Sequence, residues 1–87
     1  MTGPNLLFIY TDEQAFSTLA AYGNRAIQMP NLNQLADESV VFDEAYVVQP
    51  VCTPSRAALL TGLWPHQNGC TENNVSLWSE VRCLPEM

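Results

Sequence analysis

The sequence predicts an α/β fold on a mainly parallel sheet, and three observations carry that expectation. Residues 5–11 form an unbroken apolar run rich in β-formers. A run of this kind, without alternation, suits a strand covered on both faces, as in a parallel sheet under helices. Short stretches with helical spacing follow it. Charged residues make up 14% of the 87-residue chain, against about 25% in a typical soluble domain. Much of the outside is therefore expected to lie against more protein. A chain of this length buries only about 60–70% of its unfolded surface. It is at most one domain and reads as a truncated piece of something larger.

The elements follow in order. Pro4 and Asp12 bound the first run, and Asp12-Glu13-Gln14 stands where that strand ends. In open α/β sheets the sites lie outside the carboxyl ends of the strands. Residues 14–22 have the pattern of a short helix stopped by Gly23-Asn24. Pro30-Asn31 restarts the chain, and Leu32, Leu35 and Ala36 recur at i, i+3 and i+4 as in a second helix. Residues 40–42 and 46–48 are strand-like, interrupted by Asp43-Glu44. A turn-rich approach leads to a helix over residues 55–61, with Gly62 just past its end. Residues 63–74 read as a loop, and Pro85 as the first residue of a further helix.

Composition removes several classes. No apolar run approaches the roughly 20 residues of a membrane helix, so no membrane partner is expected. The first apolar run starts too early for a basic leader and lacks a small-residue cleavage site, which points to the cytoplasm. Net charge is −6, with three arginines and no lysine, so no nucleic-acid partner is expected either. Cys52, Cys70 and Cys83 cannot all pair within one chain, and their spacing matches no CxxC zinc template. They read as free thiols in a reducing compartment, with one bridge and a single thiol as the alternative.

The densest chemical constellation is Cys52-Thr53-Pro54-Ser55-Arg56-Ala57-Ala58-Leu59-Leu60-Thr61-Gly62. Pro54 suits the first turn of a helix, where its missing N–H would be unpaired anyway. Cys52 then sits at or just before the cap, near backbone N–H groups and the positive end of the dipole, a place that favours thiolates and bound oxyanions. Arg56, four residues on, shares that helix face and carries a planar five-donor fork. An ordinary helix start with a buried cysteine and a surface arginine explains the same residues. Thr53 and Ser55 read as capping residues. His66, the one histidine, reads as a structural donor rather than an acid–base group.

Every fixed position of that constellation matches the first signature of the type I sulfatases, which this chain resembles. The likeness extends to residues 4–14 as the family's opening strand with its metal-binding acid. It continues through Met29 to Ala36, through Phe42-Asp43-Glu44-Ala45-Tyr46, and through residues 62–69 after the signature. Five motifs in collinear order cover nearly all of residues 1–87. The resemblance implies the N-terminal portion of a sulfatase catalytic domain, in the α/β fold that sulfatases share with alkaline phosphatases.

The resemblance also implies a chemistry. The signature cysteine, here Cys52, is oxidised to formylglycine by a formylglycine-generating enzyme. The hydrated aldehyde attacks the sulfur of a sulfate ester, and the sulfated enzyme then releases its product as the aldehyde returns. Arg56 steadies that group, and with Pro54 belongs to the pattern the modifying enzyme reads. Asp12, Glu13 and the modified Cys52 are the implied ligands of a divalent metal, Ca²⁺ first, with Mg²⁺ or Mn²⁺ as alternatives. The family commonly has two adjacent aspartates where this chain has Asp12-Glu13, so Glu13 stands open between ligand and solvated strand end. The substrate class is a small-molecule or carbohydrate sulfate ester. A phosphonate monoester or phosphodiester hydrolase of the same superfamily is the alternative enzyme, and a non-catalytic fragment with unmodified Cys52 the alternative outside enzymes. The family's catalytic lysine and histidine come from later segments, so residues 1–87 alone are expected to be inactive.

Overall fold

The computed structural model describes residues 3–86. The chain divides into two compact units, Met1–Asp43 and Glu44–Met87.

In the first unit, residues 5–11 take up no regular secondary structure, with Leu6 92% and Leu7 83% exposed. Among the described residues there is no strand, so the strands expected at 5–11, 40–42 and 46–48 do not form, and neither does the sheet. The reason lies in what a strand is. Its N–H and C=O groups need a neighbouring backbone in register, and β-favouring side chains supply the preference but not the neighbour. The rings of Phe8 and Tyr10, two residues apart, stack at 5.7 Å.

The helix expected over residues 14–22 is instead two 3₁₀ turns, Phe16–Thr18 and Ala20–Tyr22, separated by Leu19 in an extended conformation. Thr18 Oγ1 donates to Ala15 O at 2.7 Å, the local side-chain bonding that competes with helix propagation. Gly23 closes the second turn at φ 95, a left-handed position that glycine adopts without a Cβ penalty. Helix α1, Pro30–Asp37, forms as its spacing predicts, with Pro30 in the first turn. It packs on the Ala20–Tyr22 turn, and the two line an open apolar groove of about 310 Å³ with Leu19, Tyr22, Leu32, Leu35 and Phe42 on its walls. The Tyr22 hydroxyl fastens the far side, donating to Phe42 O at 2.5 Å.

The second unit holds every fully buried side chain among the described residues. Helix α2 spans Cys52–Thr61, starting three residues earlier than the sequence suggests. Pro54 is tolerated inside the first turn because none of the first four N–H groups has an intrahelical partner. Pro54, Ala57, Ala58 and Thr61 form its buried face. Gly62 ends it at φ 69, with its N–H on Ala58 O at 2.8 Å. A second helix, α3, spans Pro65–Asn68 inside the stretch expected to be a loop. Pro65 pre-sets the first turn, and Gln67 Oε1 accepts the Trp64 N–H at 3.1 Å. Leu84–Glu86 is a single 3₁₀ turn with Pro85 in its middle, not the start of an α-helix. No helix among the described residues is long and apolar enough to cross a membrane.

Candidate active site

Cys52 is the first residue of α2, following Val51 in an extended conformation, and it is exposed. The signature's sequence dictates this placement. Val51 is β-branched and sits comfortably outside the helix, while Pro54 favours a helical start around it. Arg56 lies on the same helix, four residues on and so about 6 Å further along the axis. It is half-buried, and its Nε is shut off from water. A guanidinium carries its donors in a fixed planar fork, unlike the flexible point charge of a lysine.

The N-terminus itself is capped from outside the helix. Val51 provides no side-chain cap; instead Asn73 Oδ1 accepts the Thr53 N–H at 3.0 Å. The same oxygen lies 3.3 Å from Cys52 Sγ, which donates to it. Capping therefore falls to Asn73 and not to Thr53 or Ser55. Sequence reasoning passed over this residue, and the Asn73-Asn74 pair was its signal, since such pairs mark turns with a left-handed residue. Asn74 indeed has φ 66.

The turn carrying Asn73 is anchored from below. The Val75 N–H meets Glu72 O at 3.4 Å. The thiol of Cys70, 1% exposed, lies 3.2 Å from Val75 O and 3.9 Å from Glu72 O. Cys70 is fixed in turn by Asn68, which is completely buried. Asn68 Oδ1 accepts the Cys70 N–H at 2.8 Å, and its Nδ2 donates to Leu63 O at 3.2 Å and Thr61 Oγ1 at 3.4 Å. Thr61 Oγ1 donates to Ala57 O at 2.7 Å and accepts the Leu63 N–H at 3.2 Å. A buried polar cluster is tolerated only when its members are satisfied in this way.

Asp12 and Glu13 belong to the first unit, exposed at the end of the apolar run. Glu13 sits at φ 51, a left-handed conformation costing about 1 kcal/mol or more for a residue with a Cβ. The two carboxylates are the donor type a hard divalent cation prefers. Among the described residues no three His, Cys, Asp or Glu side chains stand together as a metal cluster. By themselves Asp12 and Glu13 are two donors toward a shell of about six to eight oxygens. His66 is exposed on α3. Cys52, Cys70 and Cys83 form no disulfide.

Residues 4–87 match the protein family described as Sulfatase. The chain is 36% identical to an N-acetylglucosamine-6-O-sulfatase of Bacteroides thetaiotaomicron over 84 residues, covering 97% of this chain and 15% of that protein. It is 42% identical to an ulvan-active sulfatase of Formosa agariphila over 86 residues, 99% of this chain and 17% of the relative. It is 41% identical to the human N-acetylgalactosamine-6-sulfatase over 71 residues, 82% of this chain and 14% of the relative. The chain thus spans about 15% of the length of the first of these. No solved structure matches it. The family implies an alkaline-phosphatase-like α/β fold, the class expected from the sequence, although the sheet is not formed among the described residues. With a family match that runs from Pro4 to the last residue, this chain belongs to the sulfatase family.

Proposed function

We propose that this chain contributes the nucleophile segment of a sulfuric ester hydrolase, with Cys52 as the residue converted to formylglycine. The observation that carries the reading is the exposed Cys52 at the N-terminus of α2 with the half-buried Arg56 one turn behind it. Conversion is a two-electron oxidation at Cys52 Cβ: the C–S bond breaks and sulfur leaves as hydrogen sulfide, an oxygen atom from water becomes the carbonyl oxygen, and dioxygen, used by a formylglycine-generating enzyme, takes up the two electrons and two protons. Once formed, the hydrated aldehyde supplies a hydroxyl nucleophile for a sulfate ester.

The chain's own residues then have separate tasks. The N-terminus of α2 and Arg56 hold the sulfate oxygens, a helix dipole and a fork of donors suited to a tetrahedral oxyanion. Asp12, with Glu13, would hold a divalent cation, Ca²⁺ first, which would supply Lewis-acid charge. The relatives' names include sulfatases of N-acetylglucosamine and N-acetylgalactosamine, so a carbohydrate sulfate ester is the substrate class proposed.

The test is a chimera in which residues 4–87 replace the matching segment of the Formosa agariphila ulvan-active sulfatase. Produced with the modifying enzyme, it is expected to hydrolyse sulfate esters, and its Cys52→Ala form is not. A folded, aldehyde-bearing chimera that cleaves phosphodiesters but not sulfate esters would contradict the reading.

A further inference from the structure

We propose that Asn73 is a positioning residue for the functional group at position 52. One oxygen, Asn73 Oδ1, takes two hydrogens: the Thr53 N–H at 3.0 Å and the Cys52 S–H at 3.3 Å. The first bond fills a donor that no residue of α2 can reach, so it ties Asn73 to the helix backbone. The second ties the side chain at position 52 to that same point. Both ends are therefore fixed, and the side chain loses the freedom to swing about its Cα–Cβ bond.

The support beneath Asn73 makes this a built contact. The turn is pinned by the buried Cys70 thiol on Val75 O, Cys70 by Asn68, and Asn68 by Thr61 near the other end of α2. The helix thus positions the loop that in turn caps the helix.

An S–H is a weak donor and a hydroxyl a strong one, so the arrangement gains strength after modification. Here the inference rests on the formylglycine reading. Hydration adds water across the carbonyl, placing a hydroxyl on Cβ and a proton on the former carbonyl oxygen. One of the two resulting hydroxyls replaces S–H as the donor to Asn73 Oδ1, and the other is left to face substrate. Asn73 thereby favours the hydrate over the free aldehyde and makes two chemically alike hydroxyls different.

Two measurements on this chain test the proposal. In the unmodified chain, three-bond couplings report the Cys52 χ1 rotamer, with hydrogen exchange of the Thr53 amide followed alongside. The native chain and Asn73→Asp, which keeps the acceptor oxygen, are expected to hold one rotamer, while Asn73→Ala averages over several. In the aldehyde-bearing chain, the NMR ratio of hydrate to aldehyde at position 52 is expected to fall about fivefold in Asn73→Ala, the worth of one net hydrogen bond, and to be retained in Asn73→Asp. A residue that only caps α2 moves Thr53 exchange but neither the rotamer nor the ratio, and that result overturns the proposal. If position 52 resists conversion, the sulfatase reading fails, and the rotamer measurement still decides the role of Asn73.

Discussion

The backbone N–H of Cys70 donates to Asn68 Oδ1 at 2.8 Å, and through that bond the α2–α3 pair controls the loop facing Cys52. Asn68 is 0% exposed and its side chain makes three hydrogen bonds. Its Asn68→Ala variant leaves the buried Cys70 N–H and the part-buried Leu63 C=O without their partner. The expected loss is about 3 kcal/mol, measured by urea unfolding followed through tryptophan fluorescence.

Gly69 ends α3 at φ 85, and a Cβ at this position would run into the indole of Trp78. Gly69→Ala combines a left-handed backbone with an overpacked contact against a rigid ring. We expect about 2–4 kcal/mol of destabilisation and a shift in Trp78 emission. An unchanged melting temperature would show that the ring moves aside freely.

Thr61 Oγ1 joins α2 to Asn68 and to the Leu63 amide. Thr61→Val keeps the volume but removes the hydroxyl, at an expected cost of about 1–3 kcal/mol. Thr61→Ser keeps the hydroxyl and is expected to cost less. Thermal melts of the two variants side by side check the order.

The exposed apolar run carries a different expectation. Leu6, Leu7 and Ile9 are 92%, 83% and 73% exposed, on a segment whose backbone donors and acceptors form no ladder. Such segments associate edge to edge. The chain is expected to bind an apolar dye and to scatter light increasingly with concentration, and Leu7→Glu to suppress both. Equal scattering from the native and variant chains would place the sticky surface elsewhere.

Local signals in the sequence were legible where the physics is local. Pro30, the Leu32/Leu35/Ala36 spacing and Gly62 gave α1 and the end of α2, because caps and helical periods act within a few residues. The start of α2 is harder to read, because the turn-rich residues 50–54 point to a start at residue 55, whereas a helix accepts Pro54 anywhere in its first turn and begins at Cys52. α3 lies inside a breaker-rich stretch that reads as a loop, although Pro65 and Gly69 bracket it as an N-terminal proline and a left-handed end. Residues 5–11 show the limit most plainly. Their composition speaks for a strand, but pairing is a property of two segments, and one segment's sequence does not contain the other. At the site, Cys52 and Arg56 share α2 as their spacing requires. The Asn73-Asn74 pair marks a turn, but the partner of Asn73 is not legible, because that turn folds back over more than twenty positions to meet Cys52.

The central claim is that position 52 is a formylglycine site on the N-terminus of α2. Its most direct test is mass analysis of the tryptic peptide covering residues 26–56 after co-expression with a formylglycine-generating enzyme. The account predicts an aldehyde at position 52 that hydrazide reagents capture. A peptide that instead retains a sulfhydryl, fully alkylated by iodoacetamide and inert to hydrazide, would contradict it.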